Sequence, residues 1–337
     1  MKKKFALIGC GHIAHRHVTH INNHDLGVLV GVYDIDEQVA ANFAMKYGVK
    51  NFSSLPELLK DASIDVVNVC TPNGTHSKIA MHIMEAGKHV VVEKPMSITS
   101  QSAWEMEEVS KSKGVKMFVV KQNRYNPPVK AVKDLIDQNK LGATLMVSVN
   151  CYWNRNANYY KQSPWRGTKE LDGGTLYTQF SHFVDILFYL FGEIENVSGV
   201  TRNVSHQELI EFEDSGTFSF EFKKGGIGNL VFTTSAYKQN MEGSITIFSD
   251  NATIKIGGKY LNTIDYQVTD GFDIKDIPIS SPSNNYGFYE GSMSNHDKVI
   301  NNVIEVLNDR AEIMTSAKEG RKVVEMIDQL YAGIKKE

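Results

Sequence analysis

The segment Gly9-Cys10-Gly11-His12-Ile13-Ala14 constrains the fold of this chain more than any other. Before it, Phe5–Gly9 is an apolar run of strand length, and after it Gly11 to about Asn22 has helical length. A strand that passes into a helix through two glycines has few ways to fold. Gly9 permits the tight turn, Gly11 lets another group approach bare backbone, and small Ala14 lets helix and strand pack closely. The first amides of the helix and its positive dipole end then face the turn, a setting that suits a phosphate.

The next stretch makes that turn specific. Leu26–Asp34 reads as a second strand that ends in a carboxylate, and Gly9–Ala14 is the G-x-G-x-x-A form of the dinucleotide fingerprint. A carboxylate at Asp34 can bond both hydroxyls of an adenosine ribose. Ile35, Asp36 and Glu37 follow without an Arg, so a 2′-phosphate would meet negative charge, and NAD is expected rather than NADP. The expected cofactor contacts here are Gly9, Gly11, His12, Ile13 and Asp34. The bland alternative is a structural glycine turn beside a solvated Asp.

Strands and helices go on alternating. Helical patterns cover 38–47, 55–61, 76–87 and 102–114, with Gly114 as a C-cap. Apolar runs at 64–72, 88–95 and 115–123 read as strands, so a doubly wound parallel sheet is expected. Thr71-Pro72-Asn73-Gly74-Thr75-His76 leaves one strand at the cofactor edge, where His76 serves equally well as a cofactor contact or a helix N-terminal residue. At the same edge the run HVVVEKP ends in Glu93-Lys94-Pro95. The proline removes a backbone donor and stops the strand, which delivers Lys94 to the carboxyl edge where open α/β sheets bind ligands. An ionisable Lys there is what a dehydrogenase needs as an acid or base.

Bulk properties narrow the function class. The 337 residues suffice for two domains, expected at 1–123 and 124–337. A formal net charge of -3 offers no footprint for nucleic acid or an anionic membrane surface. No apolar run is long enough to span a bilayer, and the basic start runs straight into the glycine turn, so no signal peptide is expected. Cys10, Cys70 and Cys151 lack CxxC spacing, which implies neither a disulfide framework nor a cysteine zinc site. A cytoplasmic, reduced protein is expected. His12, His15, His17, His20 and His24 do not share one helix face and have no interleaved acid, so no metal site is expected.

After Asn123 the pattern changes. A helix near 128–139 leads into alternating stretches at 145–153, 194–204, 215–237 and 243–260, joined hairpin fashion through KKGG and SDNA. The expectation is an α+β domain with a largely antiparallel, open-faced sheet, helices on one face and a partner subunit on the other. One helical stretch is expected over 295–330, and 270–294 is the most loop-like part. The chemical signal is the segment from Asp172 to Asp185. Two glycines enter a helix, and Thr178, His182 and Asp185 recur at spacings of four and three, on one helical face. Phe183, Ile186, Leu187, Leu190 and Phe191 form the opposite, apolar stripe. The polar stripe suits the wall of a catalytic cleft; equally, it suits a helix whose polar side faces water.

Taken together, GCGHIA, Asp34, CTPNGTH, VVVEKP and the GG…His182…Asp185 segment resemble the glucose–fructose oxidoreductase / inositol dehydrogenase (Gfo/Idh/MocA) family over essentially the whole chain. Within it, FVVKQNRYN, NCYWNRNANYY, WRGT, DGGTLYTQFSHFVD and EGSITIFSDNATIKIGG are similar to the UDP-N-acetylglucosaminuronate 3-dehydrogenases of the WlbA type. The resemblance implies hydride transfer from carbon 3 of a nucleotide sugar to NAD, with Lys94 and His182 as the catalytic pair. His182, of ordinary pKa about 6.5, suits the base, and Lys94, ordinarily about 10.4, suits stabilisation of alkoxide character. Burial could exchange those roles. It also implies that Thr71, Pro72, Asn73, His76, Glu93, Lys94, Gln122, Trp165 and Arg166 serve the cofactor. Lys94, Asn123, Arg155, Tyr159, Thr178, Gln179, His182 and Asp185 would serve the substrate.

Thr178 stands where inositol dehydrogenase-like members carry an Asp four before the His, so a polyol dehydrogenase with a Lys–Asp–His triad is disfavoured. The expected partners are a small nucleotide sugar, a 2-oxo acid if the cofactor is reoxidised in place, and further copies of the chain in a homodimer or homotetramer. Two alternatives stay open. One is a dehydrogenase of a free sugar, inositol or another nucleotide sugar. The other is a non-catalytic NAD-binding sensor, which has no use for Lys94 and His182.

Overall fold

The structure is a computed structural model that describes residues 1–285 and 289–335. Its backbone contacts divide it into two compact units, 1–121 with 296–324 and 122–295 with 325–337.

The first unit begins β1 (Lys3–Ile8), α1 (His12–Asn22), β2 (Gly27–Tyr33), α2 (Glu37–Tyr47), β3 (Lys50–Asn51) and α3 (Leu55–Lys60). It goes on through β4 (Val66–Val69), α4 (His76–Glu85), β5 (His89–Val92), α5 (Ser100–Lys113) and β6 (Met117–Val119). The six strands pair in parallel in the order β3-β2-β1-β4-β5-β6. The order reverses direction between β1 and β4, which opens a crevice at their carboxyl ends. Phe5, Ala6, Leu7 and Ile8 and the whole of Val66–Val69 are buried, as strands covered on both faces must be. The helix ends obey local chemistry. Asp36 caps α2 by accepting from the Gln38 and Val39 amides, Thr99 caps α5, and Gly114 closes α5 in the left-handed region. β3, with two exposed residues, had no periodicity by which the sequence could announce it.

The second unit starts with α6 (Pro127–Asp137), β7 (Thr144–Tyr152), α7 (Ala157–Lys161), α8 (Thr175–Thr178) and α9 (Ser181–Phe191). Then come β8 (Ile194–Arg202), β9 (Ser215–Phe222), β10 (Ile227–Thr233), β11 (Glu242–Ser249), β12 (Ala252–Gly257) and β13 (Thr263–Thr269). These seven strands form one sheet in the order β13-β12-β11-β7-β10-β9-β8. It is antiparallel except for β10 against β7. KKGG and SDNA lie between β9 and β10 and between β11 and β12. Helix α9 covers the inner face: Phe180 packs on Phe232, Phe191 on Phe222, and Trp153 on both Phe180 and Phe183. Each such aromatic side chain contributes roughly 2–3 kcal/mol when fully buried.

Two expectations change. The loop-like region holds the hairpin β14 (Ser283–Asn285) and β15 (Glu290–Met293), whose polar composition hid it; residues 286–288 of that region lie outside the described residues. The closing helical stretch is two helices, α10 (His296–Leu307) and α11 (Ala317–Ala332). The chain leaves the helical region at Asp309 with φ 56. Among the described residues no helix is long and apolar enough to cross a membrane.

Candidate active site

The turn after β1 is shaped by what glycine lacks. Gly9 has φ +89, and a Cβ on it would lie 2.7 Å from the Cys70 carbonyl oxygen. Gly11 is the N-cap of α1 and offers no side-chain cap, while a Cβ on it would meet nothing within 4 Å. The start of α1 thus leaves open the space that a pyrophosphate needs. Asp34 follows β2 and is held from both oxygens: Oδ2 accepts the Cys10 amide at 2.7 Å and Oδ1 the Asp36 amide at 3.0 Å. Burial, then the Asp34 charge, push the Cys10 thiol up to about 12, so it stays protonated and inert within the turn. These features fit an adenosine diphosphate half-site, with Ile35 exposed beside it.

On the strand edge next to the turn, Thr71 and Thr75 bond through their hydroxyls at 2.7 Å. His76 is buried, its Nδ1 lying 2.7 Å from the Pro95 oxygen and its Nε2 2.8 Å from the Thr71 oxygen. It therefore ties the 71–76 segment to the Lys94-Pro95 segment, and burial lowers its pKa. Lys94 follows β5 and is half-buried. Glu93 has its carboxylate inside: Oε1 lies 2.8 Å from His17 Nε2 and 3.3 Å from His296 Nε2, and Oε2 accepts the Lys94 amide at 3.1 Å.

His17, Glu93 and His296 each offer one ligand atom, all within 4.8 Å of one another, a donor set that a divalent metal could use. The 2.8 Å His17–Glu93 contact is shorter than the about 3.3 Å between two ligand atoms on a tetrahedral zinc of ordinary bond lengths. The cluster therefore reads as a His17–Glu93 hydrogen bond with His296 packed beside it.

In the second unit, the helix expected through Thr178, His182 and Asp185 is interrupted. α8 ends at Thr178, Gln179 and Phe180 intervene, and α9 starts at Ser181, so Thr178 is not one continuous turn before His182. Nor does the polar side of α9 face water. His182 and Asp185 are 4% and 1% exposed, and the expected apolar stripe is buried as well. Arg124 holds Asp185 through Nε and NH2 contacts of 2.9–3.2 Å. Gly174, with φ +133, stands against the Tyr331 hydroxyl, which accepts the Leu176 amide and donates to Glu213.

Arg155 is buried, its Nε donating to Gln179 Oε1 at 2.6 Å, while Gln179 Nε2 donates to the Tyr159 hydroxyl at 2.6 Å. The Arg155 guanidinium also stacks near the rings of Trp153, Tyr159 and Tyr289. Arg166 lies over Tyr159 and Trp165, and its buried Nε has no hydrogen-bond acceptor among the described residues. Asn123 accepts from the Ser292 hydroxyl at 2.5 Å, and Gln122 Nε2 reaches the same hydroxyl at 3.5 Å. So Arg155, Tyr159 and Gln179 form one network, Gln122 and Asn123 another, and Asp185 a third. Sequence reasoning missed Arg124, Glu213, Tyr289 and His296. Arg124 alone carried a signal, a charge set close after a buried strand.

A parallel sheet with this switch point, an uncapped helix behind a glycine turn and a carboxylate at the end of the second strand define a dinucleotide-binding fold. The chain belongs to the GFO/IDH/MocA family of oxidoreductases. Residues 3–121 match its NAD-binding Rossmann-fold domain, and residues 129–255 match its C-terminal domain. The WlbA dehydrogenase from Bordetella pertussis, crystallised in complex with NADH and UDP-GlcNAcA, is 33% identical over 99% of this chain and 96% of that one, with a TM-score of 0.89. Glucose-6-phosphate 3-dehydrogenase of Bacillus subtilis is 28% identical over 98% of this chain and 95% of its own. Levoglucosan dehydrogenase of Pseudarthrobacter phenanthrenivorans is 30% identical over 62% of this chain and 60% of its own. This protein is an NAD-dependent oxidoreductase, and these relatives are named as dehydrogenases.

Proposed function

We propose that the enzyme oxidises carbon 3 of a UDP-acetamido sugar, UDP-N-acetylglucosaminuronate, in the cytoplasmic synthesis of a surface polysaccharide. The observation that carries this reading is the end-to-end likeness to a dehydrogenase that binds NADH and UDP-GlcNAcA. A relative named for 3-dehydrogenation supports the position of attack. The buried Nε of Arg166, without an acceptor among the described residues, and the nearby Arg155 support an anionic ligand, since a buried guanidinium N–H is costly to leave unsatisfied. Three buried thiols with no disulfide support a reduced compartment.

When bound, NAD supplies the hydride acceptor. In this reading His182 takes the hydroxyl proton, and Lys94 donates a hydrogen bond to the oxygen as it gains alkoxide character. The two could exchange roles if burial lowers the Lys pKa. Asp34 bonds the ribose; Thr71, Pro72, Asn73, His76, Gln122, Trp165 and Arg166 serve the rest of the cofactor; Asn123, Arg155, Tyr159, Thr178 and Gln179 serve the sugar nucleotide. A 2-oxo acid would reoxidise NADH if the cofactor stays bound.

A homo-oligomer is part of the proposal. On the open face of the second sheet Val268, Thr253, Phe248, Met146 and Ile227 stand in register across five strands. Val268 and Ile227 are more than half exposed, and a row of this kind, apolar but for Thr253, suits cover by a second copy.

The likeness to glucose-6-phosphate 3-dehydrogenase favours a second reading, oxidation of a free sugar phosphate. A single-turnover trace of nicotinamide absorbance separates the two. Purified protein is mixed in separate runs with UDP-N-acetylglucosaminuronate, UDP-N-acetylglucosamine, glucose 6-phosphate and myo-inositol. Reduction by the uronate alone is expected. Reduction by glucose 6-phosphate with no response to either nucleotide sugar would overturn the proposal in favour of the second reading.

A further inference from the structure

Glu93 immediately precedes Lys94, yet its side chain belongs to the interior of the first unit. Two helices meet at it, and a residue of β4 stands behind one of them. Asn68 of β4 donates from Nδ2 to His17 Nδ1 at 2.8 Å, which leaves Nε2 as the His17 nitrogen that donates to Glu93 Oε1, also at 2.8 Å. His17 comes from the buried side of α1, and His296, the first residue of α10, approaches the same oxygen at 3.3 Å outside hydrogen-bonding geometry. The second oxygen accepts the Lys94 amide at 3.1 Å. Burial pushes the Glu93 carboxyl up, but the His17 hydrogen bond and the two imidazoles beside it hold it well below the usual carboxylate range. A buried, ionised carboxylate is fixed in one place by its donors.

The place of His296 matters as much as its contact. It is the first residue at which the chain re-enters the first unit, and its neighbour Asn295 belongs to the second. Within that second unit the Asn295 amide donates to the Gln122 carbonyl at 3.2 Å and to Asn126 Oδ1 at 2.8 Å, so the residues flanking the two crossings are bonded to each other. The backbone of Lys94 is thus held from one side by a carboxylate that depends on the crossing residue.

We propose that Glu93, bonded to His17 and flanked by His296, is a positioning residue that sets where Lys94 presents its ammonium group. The assignment rests on the catalytic reading of Lys94. Misplacement of such a group by about 1 Å costs on the order of a hundredfold in rate.

The test uses the full chain with NADH and whichever sugar the wild type oxidises. In Glu93→Gln and in His296→Asn, kcat is expected to fall about 10- to 100-fold, while in His296→Asn the NADH dissociation constant and the melting temperature stay close to wild type. Lysine acylation read by peptide mass spectrometry gives a measure that needs no substrate. The labelling rate of Lys94 should change several-fold in both variants, and the rates of exposed Lys60 and Lys113 should not. If Glu93→Gln does not fold, His296→Asn carries the test, because it leaves the His17–Glu93 bond and the Lys94 amide bond in place. Unchanged Lys94 labelling in a folded variant would overturn the proposal. Changed labelling in both variants, beside a wild type that oxidises no sugar, would uphold the positioning and sink only the catalytic reading.

Discussion

Asp185 and Arg124 form an ion pair sealed inside the second unit: the guanidinium nitrogens lie 2.9–3.2 Å from both carboxylate oxygens, and neither side chain is more than 1% exposed. Such a pair is held in balance between desolvation and attraction, so removing one partner strands the other. Asp185→Asn should therefore destabilise the protein by about 3–5 kcal/mol, read from the urea midpoint. The double replacement Asp185→Leu with Arg124→Met should cost less than Asp185→Asn alone. A single substitution that leaves the midpoint unmoved would mean that the pair contributes nothing.

Glu213 makes stability depend on pH. Burial pushes its carboxyl from 4.5 up to about 7, against the pull of the Tyr331 hydroxyl and backbone bonds. Between those two values the folded protein binds a proton that the unfolded chain has released, so stability falls as pH rises from about 4.5 and through about 7. Glu213→Gln keeps an acceptor for Tyr331 and the Thr175 amide and removes the titration. Its stability should be flatter across that window than wild type, measured by chemical denaturation at several pH values. An identical slope in both proteins would assign the pH dependence elsewhere.

What could be read in the sequence is what a short stretch of backbone dictates by itself. The glycine turn, the carboxylate at Asp34 and the αL cap at Gly114 each follow from local sterics or capping, and each stands where the pattern put it, whereas the strand expected to run to Pro95 ends already at Val92. The strand–helix alternation revealed the parallel sheet because buried strands are apolar throughout. The rest depends on pairs far apart in the chain. Arg124 meets Asp185, Tyr331 meets Glu213, and His296 meets Glu93, and no spacing rule joins such residues. The break between α8 and α9 was hidden for a related reason. Leu176–Phe191 has a helical pattern throughout, and the interruption at Gln179-Phe180 coincides with tertiary bonds, Gln179 to Arg155 and Tyr159, that a helical pattern does not encode.

Asp34→Ala should shift the cofactor preference. The carboxylate is oriented by the Cys10 and Asp36 amides at the end of β2, where it can take ribose hydroxyls and repel a 2′-phosphate. Loss of a charge-assisted bond of about 1.5–3 kcal/mol corresponds to roughly a tenfold to hundredfold weaker NAD interaction, with NADP affected less. Steady-state kinetics with both cofactors reads the ratio, and an unaltered ratio would take Asp34 away from the ribose.

Lys94→Ala separates chemistry from cofactor binding. Removing a donor to a developing alkoxide costs about 10²–10³-fold in kcat, or more if Lys94 also carries the proton. NADH affinity, followed by nicotinamide fluorescence, should stay near wild type, because the turn and Asp34 are untouched. Turnover close to wild type would exclude Lys94 from the reaction.

Gly9→Ala and Gly11→Ala should fail in different ways, although they lie two residues apart. A Cβ at Gly9 would sit 2.7 Å from the Cys70 carbonyl oxygen and 2.9 Å from the Thr71 side chain, on a backbone with φ +89. Neither neighbour can withdraw without disturbing the end of β4, so the protein itself should be destabilised, by about 1–3 kcal/mol from the backbone conformation alone. A Cβ at Gly11 meets nothing within 4 Å, and its φ of -77 suits any residue. That variant should melt like wild type and yet bind NADH at least about tenfold more weakly, because the methyl occupies the space left for the pyrophosphate. Calorimetry with and without NADH distinguishes the two cases. A Gly11→Ala protein that keeps full NADH affinity would place the phosphates away from this turn, and with them the whole adenosine half of the cofactor.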